Sequence, residues 1–166
     1  DVKVIAIVYN ETSTGVTVRG LPEIGKVADE NNLLLIVDAV SILGGDELPV
    51  DKWNIDICIT ASQKCLACPP GLALLSVSEK AWEIIKETRR PFYFDMVMMR
   101  SFSRKSETPF TPAIPLFYAL DEALKIIREE GLEKRFSRHR VCSEAFYDAI
   151  IAMGLEPFPE KTVRSR

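Results

Sequence analysis

The fold is decided by residues 33–40, which read L-L-L-I-V-D-A-V. A nearly unbroken apolar run with β-branched members, preceded by two asparagines, is typical of a strand that is buried on both faces. Residues 2–8 read V-K-V-I-A-I-V and predict another strand of this kind. Between the two runs, Pro22 opens a helix whose apolar positions recur three and four residues apart. The order strand, helix, strand predicts a parallel sheet with right-handed crossovers.

The same alternation continues further along the chain. Residues 55–60 and 72–77 predict two more strands, separated by a turn that contains a Pro-Pro-Gly sequence. Ser78 is placed to cap a helix over residues 79–88. This first half therefore predicts an α/β fold with three layers, α/β/α.

The second half of the chain is predicted to be mainly helical. The prolines in segment 108–112 prevent a helix, so this segment is expected to be an irregular extended loop. Residues 116–130 carry an apolar stripe at helical spacing, and Gly131 is expected to end or kink that helix. A last helix is expected to stop at Gly154, before residues 155–158, which resemble the start of a strand.

Composition excludes several classes of protein. The chain has 166 residues, of which 47% are hydrophobic and 27% charged, with a formal net charge of −3. A nucleic-acid-binding protein would need a concentrated basic face, and a membrane protein an apolar run of about 20 residues; the sequence has neither. Its four cysteines are not needed as staples, so we expect reduced thiols in a cytoplasmic protein.

The first candidate site residue is Asp38, the carboxylate that closes an apolar strand. Burying an unpaired carboxylate is costly, and ligands of parallel α/β sheets bind beyond the carboxyl ends of the strands. Asp38 is therefore expected to face a cationic group at that end of the sheet. The alternative from position alone is a structural role, in which Asp38 caps the next turn through Ser41 or Gly44.

The second candidate is Lys64, in the small-residue turn that follows the strand over residues 55–60. A lysine in a partly dry, electropositive pocket gives up its proton more readily, and its free amine can then form a Schiff base. The alternative is a solvated loop lysine. Together, Lys64 and Asp38 match what pyridoxal 5'-phosphate (PLP) requires, a lysine for the Schiff base and an acid for its pyridine nitrogen.

Local motifs decide between these interpretations. They read V-D-A-V-S at 37–41, A-S-Q-K at 61–64 and P-P-G-L-A at 69–73, with E-T-S-T-G at 11–15 upstream and G-L-E at 131–133 downstream. In this order they resemble the alanine–glyoxylate and serine–pyruvate aminotransferase family, which belongs to the class V group of fold-type I PLP enzymes. The resemblance covers essentially the whole chain. It implies transamination between alanine or serine and a 2-oxo acid such as glyoxylate or pyruvate.

The resemblance also assigns roles around the cofactor. Lys64 would be the Schiff-base lysine and would shuttle a proton, while Asp38 would pair with the pyridinium nitrogen. Val40 would pack against one face of the ring, Ser13 would hydrogen-bond near the ring's 3' oxygen, and Gln63 would donate to the phosphate.

Two further residues are implied to act across a homodimer. In the family, the loop that contains Thr108 and Thr111 crosses to the phosphate of the other subunit. Thr111 matches the family's threonine, whereas Thr108 stands where some members have a tyrosine.

Parts of the family's site have no counterpart in this sequence. The upstream phosphate-binding turn, the ring-stacking aromatic residue and the arginine for the substrate carboxylate are not found. We therefore expect a fragment that is inactive alone, with residues 1–130 from the PLP-binding large domain and residues 131–166 beginning the smaller C-terminal α+β domain.

The sequence contains two further signals, and it leaves two alternative functions open. The C-x-x-C motif at Cys65 and Cys68 lacks a second ligand pair, so two buried thiols are favoured over a metal or redox site. His139 is interpreted as a helix-surface residue. The alternatives are a desulfurase or lyase of the same group, which tends to carry His where Gln63 stands, and a non-catalytic scaffold domain.

Overall fold

The computed structural model describes residues 2–88 and 90–166. The strands are β1 (Val4–Val8), β2 (Asn10–Glu11), β3 (Val16–Thr17), β4 (Leu34–Asp38), β5 (Ile57–Ala61) and β6 (Ala73–Val77). The helices are α1 (Leu21–Glu30), α2 (Glu79–Glu87), α3 (Met96–Ser103), α4 (Ile114–Glu130) and α5 (Leu132–Ala152), with 3-10 turns at Phe92–Phe94 and Lys161–Val163. No helix formed by these residues is both long and apolar enough to cross a membrane.

The main sheet has four strands in the order β1-β4-β5-β6, and β2 pairs with β3 in a small antiparallel hairpin. Strands β1, β4 and β5 are parallel, with Asp38 opposite Val8 on one side and Ile59 on the other. The carboxyl ends of these parallel strands therefore lie at one edge of the sheet, and the α/β class expected from the sequence is confirmed.

Strand β6 differs from the sequence expectation of a parallel sheet. It runs antiparallel to β5, with Ile57 opposite Val77 and Ala61 opposite Ala73. A parallel return requires a crossover of a dozen or more residues, usually a helix, whereas residues 62–72 form a turn without a helix. The chain consequently doubles back directly after the turn that carries Lys64.

The predicted two-sided burial of β1 is also wrong for this chain. Alternate residues of the strand are exposed, and Val4 and Val8 keep 43% and 44% of their surface open. Because alternate side chains of a strand point to opposite faces of the sheet, this pattern means that one face of β1 is left open by the described residues. By contrast, Leu35 and Val37 of β4 are fully buried, as expected for a central strand.

Helix α1 covers one face of the sheet with its buried residues Leu21, Gly25 and Ala28. Leu21 and Ala28 belong to a hydrophobic core that includes Leu35 and Val37 of β4. A Cβ atom at Gly25 would lie 1.9 Å from the backbone oxygen of Trp53. Only glycine therefore allows the helix to approach the segment between β4 and β5 this closely.

Helix α4 forms a second core with the turn after β5. Leu120, Ala123 and Ile127 on its buried face pack with Leu66 and Cys68 of that turn. The apolar stripe predicted for this helix is thus confirmed at these positions, whereas Leu124, also part of the predicted stripe, is exposed. The packing fixes the far side of the turn in which Lys64 lies.

The join between α4 and α5 is Gly131, whose φ of +81° ends the first helix in the conformation that glycine favours. The helix end predicted there is confirmed, and the domain boundary at residue 131 stays a prediction. Residues 155–158, expected to begin a strand, have irregular backbone in this chain.

Candidate active site at the ends of the parallel strands

Asp38 is the last residue of β4 and is half-buried. Its backbone oxygen accepts a 2.9 Å hydrogen bond from the Tyr9 amide, which holds the end of β1 beside it. Its carboxylate oxygen Oδ1 accepts a 2.9 Å hydrogen bond from the amide of Val40. The second oxygen, Oδ2, receives no hydrogen bond from the residues that the structure describes. Asp38 therefore caps the following turn with one oxygen, but through the Val40 amide and not through Ser41 or Gly44, as the structural alternative expected.

Lys64 lies in a turn that is built around a fully buried serine. The Ser62 hydroxyl donates to the Pro69 oxygen at 2.7 Å and accepts from the Leu72 amide at 3.3 Å. The Lys64 oxygen accepts a 2.9 Å hydrogen bond from the Ala67 amide, which closes the turn. The Lys64 side chain is exposed, and it forms no hydrogen bond or ion pair with residues 2–88 or 90–166. The exposed Lys64 matches the solvated loop lysine of the alternative and not the partly dry pocket that was expected, and the turn fixes its backbone while its amine stays available.

The two residues follow the ends of adjacent strands. Past the end of β4, the Ala39 amide donates a 2.8 Å hydrogen bond to the Ile59 oxygen of β5. Further on, the Cys65 thiol lies 3.3 Å from the Ser41 oxygen, so the two loops stay in contact beyond the sheet. Neighbouring strands are about 4.8 Å apart. The structure therefore brings the Asp38 and Lys64 segments together at one edge.

Ser13 lies in the hairpin that follows β1, at the same edge. Two hydrogen bonds tie the hairpin to the loop after β4. The side-chain amide of Asn10 donates to the Ser41 hydroxyl at 2.9 Å, and that hydroxyl donates to the backbone oxygen of Asn10 at 2.8 Å. Ser13 itself is exposed, and its hydroxyl donates to Glu11 at 2.6 Å. The hydrogen bonds from Ser13 lower the pKa of Glu11. The Ser13 oxygen can still accept a further hydrogen bond.

The remaining predicted residues divide into two groups. Val40 and Gln63 are sequence neighbours of the two candidates, since Val40 is two residues beyond Asp38 and Gln63 immediately precedes Lys64. Thr108 and Thr111 are exposed in the irregular segment between α3 and α4, where the Thr108 hydroxyl donates to the Phe110 oxygen at 2.8 Å. No described contact joins either threonine to the strand-end residues within one copy of the chain.

Two cysteines near the site, the buried Cys58 and the partly buried Cys65, favour the neutral thiol form. Burial, with a smaller contribution from the Asp38 charge, raises the pKa of Cys58 to about 11. Burial also raises the pKa of Cys65, against the opposing effect of Arg135 and Lys64. Cys68 is buried, and the described part of the chain holds no group of three or more His, Cys, Asp or Glu side chains that could bind a metal.

A cavity of about 500 Å³ opens beside Lys64. It is lined by Ser41, Lys64, Cys65, Ala67, Arg135, Arg138 and His139. Asp38 is not among these residues, so the cavity is not the space between the two predicted cofactor residues. Burial, followed by the nearby Arg135 and Arg138, lowers the pKa of His139, which favours its neutral form at this surface.

Sequence reasoning missed Arg135, the buried charged residue of α5. Its guanidinium donates to the Gly44 oxygen at 2.8 Å and to the Cys65 oxygen, and it pairs with Glu130 at 3.0 Å. A single arginine within a basic and acidic helix carries no periodic signal. Its position depends on how α5 leaves Gly131, the residue between the two helices.

The chemistry of the strand ends fits PLP. Asp38 offers a free carboxylate oxygen for a protonated ring nitrogen, and Lys64 offers an unpaired amine for the aldehyde. Gln63 and Ser13 supply neutral donors of the kind that bind phosphate and ring oxygens. The fold and these residues together define a protein of the fold-type I PLP class.

The comparisons with known proteins agree with that class. The sequence profile of the family described as "Aminotransferase class-V" matches residues 1–162. The chain belongs to the class-V aminotransferase family, and the resemblance drawn from its motifs is confirmed.

Individual relatives match almost the whole chain. An uncharacterized aminotransferase of Methanocaldococcus jannaschii is 48% identical over 99% of this chain, and the match spans 43% of that protein. The small subunit of a soluble hydrogenase from Synechococcus is 43% identical over 92% of this chain and 40% of its own length. The crystal structure of an alanine–glyoxylate aminotransferase from Nostoc superimposes with a TM-score of 0.92 at 34% identity, covering 98% of this chain and 43% of that one. The chain therefore spans less than half the length of the relatives it matches.

Proposed function

We propose that this chain is part of a PLP-dependent aminotransferase that transfers an amino group between a small amino acid and a 2-oxo acid. The observation that carries the proposal is the position of Asp38 and Lys64 at the ends of two adjacent parallel strands. Each keeps the functional atom that PLP needs, a carboxylate oxygen and an amine, free of other described partners. Because the chain matches less than half the length of these relatives, we propose that it is part of a longer enzyme.

When bound, PLP supplies an electron-withdrawing ring that stabilises negative charge on the substrate's Cα carbon. The protein's own residues do the rest. Lys64 would hold the cofactor through Nζ and, once that amine is released on substrate binding, would move a proton at the same atom. Asp38 would keep a proton on the ring nitrogen through its carboxylate. Val40 would pack against one face of the ring.

Anchoring is assigned to neutral donors. Gln63 is proposed to donate its side-chain amide to the phosphate, and Ser13 to hydrogen-bond near the ring's 3' oxygen. Thr111, together with Thr108, is proposed to reach the phosphate of the partner subunit in a homodimer. Their exposure within one copy supports that arrangement, because both side chains are open to another surface.

The proposed donors are alanine and serine, and the proposed acceptors are glyoxylate and pyruvate. The name of the Nostoc structure supports alanine and glyoxylate. Gln63 supports the aminotransferase branch over the desulfurase or lyase alternative, in which histidine tends to occupy that position.

A borohydride experiment on the complete protein tests the proposal. After loading with PLP, reduction should fix the cofactor on a single lysine, and peptide mapping should locate it at Lys64. Lys64→Ala should abolish the label, while Lys52→Ala, an exposed lysine, should leave it unchanged. A label on any other residue would overturn the assignment. Amino donors assayed against glyoxylate, pyruvate and 2-oxoglutarate then define the substrates.

The second candidate is a hydrogenase role, which the name of the Synechococcus relative favours. Hydrogen-dependent dye reduction by the complete protein, together with absence of a borohydride-fixed cofactor on Lys64, would select it. Transamination with the cofactor on Lys64 would reject it.

A further inference from the structure

Arg135 connects the two loops on which the proposed site depends. It lies on α5, far along the chain from either loop, yet its side chain is only 7% exposed. Its Nε donates to the oxygen of Gly44, in the loop that follows Asp38, and its Nη2 donates to the oxygen of Cys65, the residue after Lys64. One rigid guanidinium therefore bridges the backbones of the two segments.

The loops are packed closely where Arg135 holds them. A Cβ atom at Gly45 would lie 2.7 Å from the Cys65 sulfur, and one at Gly44 would lie 3.5 Å from a methyl carbon of Leu66. Gly44 itself has a φ of +87°. The absence of side chains at Gly44 and Gly45 thus allows the contact, and the Arg135 hydrogen bonds add to the direct one between the Cys65 thiol and the Ser41 oxygen.

The positive charge of Arg135 is balanced by a carboxylate at the helix junction and not by a residue of either loop. Glu130 pairs with Nη1 of Arg135 at 3.0 Å and also accepts two hydrogen bonds from Arg138, at 2.5 and 2.9 Å. Glu130 is the last residue of α4, and Arg135 lies in the first turn of α5. The cation is therefore fixed at the junction of the two helices, with its donors aimed at the loop carbonyls.

We propose that Arg135 is a positioning residue, which holds the Lys64 turn against the loop after Asp38 and so fixes where the lysine amine lies. The inference rests on the proposed function of Lys64, but the contacts themselves do not. Lysine cannot replace arginine here, because a single ammonium lacks the planar fork that reaches two carbonyls and a carboxylate together.

The test compares Arg135→Lys and Arg135→Met with Arg138→Met in the complete protein. Arg135→Lys keeps the positive charge beside Glu130, so it is expected to fold even if Arg135→Met does not. Arg138→Met removes an arginine from the same helix and the same carboxylate, and the described hydrogen bonds of Arg138 go to Glu130 and not to either loop. Hydrogen exchange in the absence of PLP is measured first, on peptides covering residues 62–72 and, as an internal reference, residues 73–77.

Both Arg135 variants should speed exchange of residues 62–72 by about tenfold or more, with residues 73–77 unchanged, because local opening follows the loss of local bonds. With PLP loaded, kcat should fall by about 10- to 100-fold, as expected when a reacting group is misplaced, while KM changes little. The pH at which the visible absorbance of the bound cofactor titrates should also shift, since it reports the surroundings of the lysine.

Parent-like exchange in residues 62–72, or equal effects of Arg138→Met, would overturn the proposal. So would a lower melting temperature with unchanged kcat and unchanged absorbance titration, which is the signature of a purely structural arginine. A borohydride label away from Lys64 would instead defeat the proposed function, and the exchange rates would still decide whether Arg135 holds the turn.

Discussion

Asp56 accepts a 2.7 Å hydrogen bond from the hydroxyl of Ser78, the residue that caps α2. The same carboxylate accepts from the Leu35 amide at 3.0 Å and lies 3.7 Å from the Lys80 amine. One buried side chain therefore ties the start of β5 to β4 and to α2. The strand that leads to Lys64 is thereby aligned at the end opposite the candidate site.

Replacing Asp56 with alanine should lower the free energy of unfolding by about 2–4 kcal/mol, because a buried amide and hydroxyl lose their acceptor and Lys80 loses its counter-charge. Asp56→Asn keeps one acceptor oxygen and should cost less. Chemical denaturation of both variants measures the difference. Equal stability of Asp56→Ala and the parent would show that water replaces the carboxylate without loss.

The close approach of α1 gives a second stability prediction. Gly25→Ala would put a methyl group 1.9 Å from the Trp53 oxygen, where backbone must move. We expect a loss of about 3 kcal/mol, at the upper end of overpacking costs. Gly131→Ala is the matched control, since no atom lies within 4 Å of its Cβ position and only its φ of +81° is unfavourable. We expect this substitution to lower the free energy of unfolding by about 1 kcal/mol. The order of the two melting temperatures checks both expectations.

Much of this fold follows from local patterns that can be read in the sequence. The apolar runs of β1 and β4 predict strands with parallel neighbours, and Ser78 predicts the start of α2, because strand formation and helix capping depend largely on nearby residues. The direction of β6 was not predictable in the same way. It depends on the length and shape of the turn at residues 62–72, which the strand pattern itself does not reveal.

The candidate site divides similarly. Asp38 and Lys64 are recognisable because each stands where an apolar strand ends, a position with chemical meaning in parallel sheets. Arg135 and Gly44 meet only through the path of α4 and α5, so no spacing in the sequence connects them. The shared hydrogen bonds between Asn10 and Ser41 are likewise set by tertiary packing.

Asp38→Asn tests the acidic partner of the proposed cofactor. An amide cannot carry the charge that holds a proton on the ring nitrogen, so kcat of the complete protein should fall by at least about 100-fold, the scale of losing one preorganised electrostatic contact. The Val40 amide can still donate to the asparagine oxygen, so folding should be retained. Steady-state kinetics and the visible spectrum measure the effect, with exposed Asp51→Asn as the control. A kcat within about threefold of the parent would contradict the assigned role.

The Glu130 cluster gives a prediction about pH. Hydrogen bonds from Arg138, followed by those from Arg135, lower the pKa of Glu130 from 4.5 to about 2. A carboxylate whose pKa is lower in the folded state stabilises the fold fully above its unfolded pKa, and it loses that contribution as the pH falls through the folded value. The stability difference between the parent and Glu130→Gln should therefore be constant near neutral pH, shrink below pH 4.5 and vanish near pH 2. Melting temperatures across this range, with Glu129→Gln as the neighbouring control, measure it. A difference that does not change down to the lowest pH would mean that Glu130 acts through packing, since packing does not titrate.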